Sequence, residues 1–398
     1  MRNLKLNMEA GMAKELAFVL INPYTIGKSR TGGVIGRFIA KTGLELVSAR
    51  MFGPSRELVE KYAETVRRDE DIHENQRSIL ADYILRAYMP DAETGRCQRV
   101  MLLLFEGEDA IERVREAAGN IRYNMTSGRT VRDIYGDYIT DADGEVIYVE
   151  PAVLIGPTTK AVKDVLKLWA EYSERDGGII DETIDLNGST KIEKTLVLIK
   201  PDNFRFPTAR PGNIIDIFSG SGLRIIGSKV HCMSVAEAEE FYGPVLDILR
   251  QKLKGMVGER SARAVSEELD LELPDSIVEQ LGELIGPLYG EGQFYEIIKF
   301  MTGAWAPGLS DKEKEKAGCE KCLALVYAGE DAVNIIRGIL GPTDPSKAEP
   351  GSVRKEYGES IMVNAAHASD SVENAKRELG IIKVERDAIK DWYERYYK

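Results

Sequence analysis

TLVLIKPDNF at Thr195–Phe204 and LAFVLINPYTI at Leu16–Ile26 decide the fold, because they read as two copies of one element. Each is a short apolar run rich in β-branched residues that ends in a polar residue and a proline, the signature of a buried strand running into a loop. Only the second copy carries a lysine, Lys200; the first has Asn22 in its place. Working outward, Pro23 pairs with Pro201, Gly43 with Gly222, Tyr62 with Tyr242, Arg115 with Arg337, Arg132 with Arg354 and Gly136 with Gly358. The spacing between copies is nearly constant as far as Tyr242 and then jumps, so the second copy holds a large insertion.

Each copy repeats one order of elements. A strand (Ala17–Ile21; Thr195–Ile199) leads to an apolar-periodic helix (Gly32–Lys41; Pro211–Ser219), with Gly43 and Gly222 suited to a left-handed helix end. A second strand (Leu44–Met51; Leu223–Cys232) is followed by a helix opened by Ser55 or Ser234, good N-caps. A third strand (Val100–Phe105; Leu323–Tyr327), a helix (Ala110–Arg115; Ala332–Ile339), a fourth strand (Glu145–Val149; Ser360–Asn364) and a last helix complete the unit. Strands interleaved with helices imply an α/β arrangement, a sheet covered by helices. The expected organisation is a first domain over 14–178, a polar linker over 179–193 and a second domain over 194–398. Helical insertions are expected at about 244–292 and at 304–321, the latter with the charge run DKEKEK; they read as solvated excursions, with a lid as the sharper alternative.

Composition sets limits on function. The chain has 398 residues, enough for two cores, with 43% hydrophobic and 30% charged residues. A formal net charge of −12 disfavours a broad nucleic-acid surface. No apolar run is long enough to span a bilayer, and MRNLKLNMEAGMAKE lacks a signal-peptide core, so no membrane partner and a cytoplasmic location are expected. The four cysteines are sparse, as suits a reducing compartment, and Cys319-x-x-Cys322 reads as two free thiols because no second pair completes a zinc site. Gly27-Lys28-Ser29 fails as a phosphate-binding P-loop, since Asn22 stands where its leading glycine is required.

Three histidines localise any imidazole chemistry. His73 sits in the charged run RRDEDIHENQR and reads as a solvated helix residue, and His231 as a structural strand-end residue. His367 differs: it follows a strand and precedes the helix start Ser369-Asp370-Ser371, where free N–H groups and the helix dipole favour an anion. A neutral imidazole there can attack phosphorus and pass the group onward.

The segments IKPD (Ile199–Asp202), RGILGPTDP (Arg337–Pro345), PGSVRKEYG (Pro350–Gly358) and NAAHASDSVENAKRE (Asn364–Glu378) make the second half resemble nucleoside diphosphate kinase. The resemblance implies two ferredoxin-like domains, each an α+β sandwich with a four-stranded, mainly antiparallel sheet. It implies transfer of a γ-phosphoryl group between nucleoside tri- and diphosphates through phosphorylated His367. Glu378 would support the histidine, with Tyr242 beside it and Lys200. Lys200 and Asn364 would contact sugar hydroxyls and phosphates; Arg337, Thr343 and Arg354 would bind phosphates. Ile361 would cover one face of the base, and the stacking aromatic would fall at or near Phe294, although a register fixed on Met301 places Gln293 there. Mg2+ would arrive with the nucleotide, without protein ligands of its own. Ala368 replaces a glycine usual in the family.

The first half resembles the same fold without its chemistry: Asn22 replaces the lysine, about Leu154 falls at the histidine and about Val165 at the glutamate. Family members commonly form hexamers, so a homo-oligomer is implied, in which a trimer of tandem chains would use the inert half as a subunit. Two other readings stay open: a non-catalytic nucleotide-binding regulator or scaffold, and an enzyme passing phosphate from His367 to a protein.

Overall fold

A computed structural model describes residues 14–121, 128–184, 191–386 and 388–398. In the first half, β1 (Glu15–Ile21) is followed by α1 (Pro23–Gly27), α2 (Thr31–Thr42), β2 (Glu45–Phe52), α3 (Arg56–Arg67) and α4 (Glu74–Ala87). Then come β3 (Val100–Gly107), α5 (Ala110–Ala118), α6 (Val131–Tyr135), β4 (Asp137–Thr140), β5 (Val146–Glu150), β6 (Val153–Ile155) and α7 (Thr159–Asp176). The second half repeats this plan with β7 (Glu193–Ile199), α8 (Arg210–Ser219), β8 (Arg224–His231) and a longer helical passage of α9 (Val235–Lys252), α10 (Lys254–Leu269), α11 (Asp275–Thr302) and α12 (Asp311–Lys314). It closes with β9 (Cys322–Gly329), α13 (Ala332–Leu340), α14 (Val353–Tyr357), β10 (Ala366–Ala368), α15 (Val372–Ile382) and α16 (Ile389–Tyr397).

Each half builds an antiparallel sheet, ordered β2-β3-β1-β6 in the first and β8-β9-β7-β10 in the second. This is the ferredoxin-like order, with the first strand of each half central. Centrality explains the continuous apolar sequence of β1 and β7: both faces are covered, so no residue needs to be polar until the strand leaves the sheet. The helix starts follow the expected caps. Ser55 accepts from the Leu58 N–H, and Ser234 forms a capping box with Glu237. Gly43 ends α2 with φ 65°; α8 ends at Ser219, as expected, and Gly222, at φ 75°, lies three residues beyond it.

The fourth strand lies downstream of its expected position in both halves. The alternating sequence at Val146–Glu150 does form a strand, but it pairs with β4 in a separate hairpin. The sheet is completed by the three-residue strands β6 and β10, which pair with β1 and β7. Residues Ser360–Asn364 form bends and no strand. Both short strands follow a residue in the left-handed region, Ala152 at φ 63° and Ala365 at φ 68°, whose carbonyls accept from the Asn22 and Lys200 N–H groups. At the expected start of the insertion, α9 runs through Pro244 without a break.

The halves meet edge to edge and helix to helix. α2 crosses α8 where glycines face one another: an added Cβ on Gly212 would stand 2.1 Å from the Gly32 carbonyl oxygen and 2.5 Å from the Gly36 nitrogen. The expected linker is fastened where it starts. The Gly178 N–H just before it donates to Met51 of β2, and its own Ile180 N–H donates to Ile226 of β8, so the chain here is hydrogen-bonded to both edge strands. Residues 185–190 of that linker lie outside the described residues. Arg50 of β2 donates across the junction to the Glu385 carbonyl at 3.0 Å, while Lys229, in the matching place on β8, donates within the second half to the Ile382 carbonyl at 2.8 Å. α16 then packs on the first half, where Tyr396 bonds Glu106 and the Tyr397 hydroxyl donates to the Leu16 carbonyl at 3.1 Å. Among the described residues no helix is long and apolar enough to cross a membrane.

Candidate active site

His367 is the middle residue of β10, opposite Leu198 of β7, and the chain passes from it through Ser369–Ser371 into α15. Its Nε2 lies 3.0 Å from Oε2 of Glu378, which sits two turns into α15 with its side chain 5% exposed. Ser369 donates its hydroxyl to the same carboxylate oxygen at 2.6 Å, and Arg377 approaches the other oxygen at 3.6 Å. A carboxylate is an acceptor only, so the ring proton belongs on Nε2 and the lone pair on Nδ1. Phe241 packs edge-on against the imidazole at 5.0 Å between centroids and Tyr242 at 6.2 Å. The Tyr242 hydroxyl is buried without a hydrogen-bond partner, and burial raises its pKa well above the ordinary value.

Lys200 leaves β7 beneath this site. Its ammonium donates to Asn364 Oδ1 at 2.7 Å and to the Met362 carbonyl at 3.3 Å, and burial, followed by the charge of Arg354, pulls its pKa down to about 8. The Asn364 amide donates to the carbonyls of Thr343 and Ile361, at 3.2 and 2.8 Å. Asn364 thereby clamps the lysine and two loop residues that the sequence assigns to the site. Thr343 is exposed, and Ile361 is 63% exposed, an apolar side chain presented to solvent. Arg354 donates to the Gly341 and Ala366 carbonyls at 3.0 and 3.2 Å; burial and then the charge of Arg337 lower its pKa to about 10. Arg337 projects from α13 into solvent.

Phe294, the expected stacking aromatic, is buried within the helical passage. It falls on the buried stripe of α11 with Ile298 and Met301 and is 4% exposed, its ring against Tyr295. Gln293 is half-buried one residue before it. The α11 ring that meets the site is Phe300, whose centroid lies 5.5 Å from Lys200 Nζ. Phe300 and Phe241 are residues beside the site that sequence reasoning did not single out, and Ser369, read there as part of the helix start, also bonds Glu378. Phe241 stands beside Tyr242, which was identified, and neighbourhood was the available signal.

The corresponding place in the first half is filled. Leu154 pairs with Leu20 as His367 pairs with Leu198, and Val165 on α7 answers Glu378, as the sequence register implies. Arg132 donates to the Gly119 and Val153 carbonyls as Arg354 does to Gly341 and Ala366, so the shared arginine has a structural task in both halves. Where the lysine would lie, Asn22 donates to the buried carboxylate of Glu150 at 2.9 Å. Glu150 also accepts from Tyr83, and Tyr88 donates to Asn22 at 2.7 Å. Arg115 is exposed and paired with Glu112. His73 precedes α4 and is exposed, and His231 lies 3.1 Å from Glu237.

A ferredoxin-like sheet with a carboxylate-anchored histidine at its edge defines the class, and comparison with known proteins agrees. The family model described as nucleoside diphosphate kinase matches residues 15–147 and 312–387, together over half of the chain. The nucleoside diphosphate kinase of Bdellovibrio bacteriovorus is 30% identical over 190 residues, 48% of this chain and 92% of that protein. That of Staphylothermus marinus is 30% identical over 200 residues, 50% of this chain and 98% of its own. A solved structure of an NDP kinase from Pyrobaculum aerophilum is 28% identical, covering 48% of this chain and 95% of that one with a TM-score of 0.32. The chain belongs to the nucleoside diphosphate kinase family.

Proposed function

We propose that the second half moves the γ-phosphoryl group of a nucleoside triphosphate to His367 and from there to a nucleoside diphosphate. The observation that carries this reading is an imidazole fixed through Nε2 by Glu378, beside cations that burial and mutual repulsion leave in want of an anion. Nδ1 attacks the γ-phosphorus; the nitrogen–phosphorus bond forms as the bond to the bridging oxygen breaks, and the electron pair departs with the diphosphate. Glu378 balances the charge that the ring gains. In the second half-reaction an oxygen of the acceptor diphosphate attacks the same phosphorus, and the lone pair returns to Nδ1.

Lys200, Arg354 and Arg337 would hold the phosphates, and a bound anion would relieve the repulsion among them. A phosphoryl oxygen would also supply the acceptor that the buried Tyr242 hydroxyl lacks. Ile361 offers an apolar face to a base without reading its edge, which favours broad nucleotide acceptance. Mg2+ fits this site as a passenger on the nucleotide: the residues here offer cations for phosphate and no cage of carboxylates, and the ion would screen phosphate charge. The first half is read as the structural partner.

Replacement of His367 by alanine tests the reading. It is expected to remove acid-labile labelling by γ-labelled ATP and to lower exchange between ATP and a second nucleoside diphosphate by about 10^3-fold or more. Full labelling of His367→Ala would overturn the mechanism.

A further inference from the structure

The helical passage of the second half leaves the sheet after β8 and returns at β9, and a cysteine stands at each root. Cys232 follows the last residue of β8, and Cys319 lies shortly before β9. The β8–β9 pairing ends at His231 with Cys322 and resumes in a different register, in which Ser234 bridges Ala317 and the Gly318 N–H donates to the Met233 carbonyl at 3.0 Å. Continued by one step, this second register sets Cys232 opposite Cys319. Opposed residues of antiparallel segments have Cα atoms about 4.5–5.5 Å apart, inside the roughly 4.4–6.8 Å that a disulfide spans.

Both thiols line one cleft between the two halves, together with Leu46, Phe204 and Lys321. Cys319 is exposed and Cys232 half-buried. Burial pushes the Cys232 thiol up, and Cys319 is among the nearby groups that add to the shift. Cys322 is fully buried, its Sγ 3.3 Å from the His231 carbonyl oxygen, and burial, then the neighbouring Cys232, raises its pKa; Cys97 belongs to the first half.

We propose that Cys232 and Cys319 form a redox modification site, closing to an intrachain disulfide by exchange with a low-molecular-weight disulfide of the oxidised-glutathione class. The Cys319 thiolate attacks one sulfur of the oxidant, whose S–S bond breaks to release one thiolate. Cys232, deprotonated, attacks the Cys319 sulfur and expels the second thiolate. Two protein thiols are oxidised, the oxidant is reduced to two thiols, and the two protons end on them. The bond closes the base of the passage that carries Phe241 and Tyr242 against His367 and Phe300 over Lys200. It holds whether or not the phosphotransfer reading does.

The test uses the full chain, folded, exposed to oxidised glutathione, with free thiols then alkylated and the digest mapped by mass spectrometry. A Cys232–Cys319 peptide is expected, retained in Cys322→Ser and lost in Cys319→Ser. Because the closed loop is long, the oxidised chain should melt about 5 °C higher, reversibly with dithiothreitol. A Cys319–Cys322 link, glutathione adducts alone, four free thiols, or a linked protein that melts no higher would overturn the proposal.

Discussion

Lys200 is enclosed by protein beside Arg354, and the consequence can be read by titration. Its pKa is about 8 in the folded chain, against about 10.4 for an unfolded lysine. Below pH 8 both states hold the proton, and the buried charge counts against folding in full. Between those two values the unfolded chain binds more protons than the folded one, so stability rises with pH. Affinity for a nucleoside diphosphate should run the other way, falling as the ammonium is lost. The melting temperature of the parent protein should therefore rise relative to Lys200→Met from pH 7.5 to 9.5, while ADP binding to the parent weakens over the same range. A difference that does not vary with pH would show that Lys200 keeps its proton. His367, Lys200 and Glu378 were legible in the sequence because they stand at fixed positions in short motifs along strands and a helix start, and the fold brings His367 and Glu378 into contact. The phase of α11 was not, since Phe294 and Phe300 are both aromatic residues on one helix and only packing decides which is turned inward.

Two helices of the same molecule show what a Cβ means in two places. At Gly212 of α8 the space is already taken by the backbone of α2, so Gly212→Ala must push the helices apart at a cost of about 2–3 kcal/mol. At Gly292 of α11 nothing lies within 4 Å, and Gly292→Ala should add about 0.5–1 kcal/mol through the unfolded state and helix propensity. Urea unfolding of both variants checks the pair, and equal effects would remove the close approach. The strands were legible in proportion to their length and burial. β1, β3, β7 and β9 announce themselves as apolar runs, and Val146–Glu150 announces a strand that serves a hairpin. The three-residue β6 and β10 carry too few residues to show a period. Ala366–Ala368 has only small side chains around its histidine, so pairing to β7 rather than sequence pattern makes it a strand.

Across the whole molecule the repeat was legible from matching prolines, glycines and arginines, but its packing was not. Contact between halves is made by close-packed glycines, edge strands and scattered polar pairs such as Tyr396 with Glu106, none of which leaves a pattern in one sequence. Arg132 persists in the first half, yet its guanidinium is buried against two carbonyls and the lysine's place holds Asn22, Glu150 and Tyr83. Restoring the lost pair alone should therefore fail. In a His367→Ala background, Leu154→His with Val165→Glu is expected to give no acid-labile label on the N-terminal half, and label there would show that the filled site can open. The helix α16 carries one more implication. It follows the entire second half in the sequence, yet it covers Glu106 and Leu16 of the first. During synthesis the earlier sheet must wait, one flank bare, until the second half and α16 have emerged, so the unit made first is finished only after the second is made.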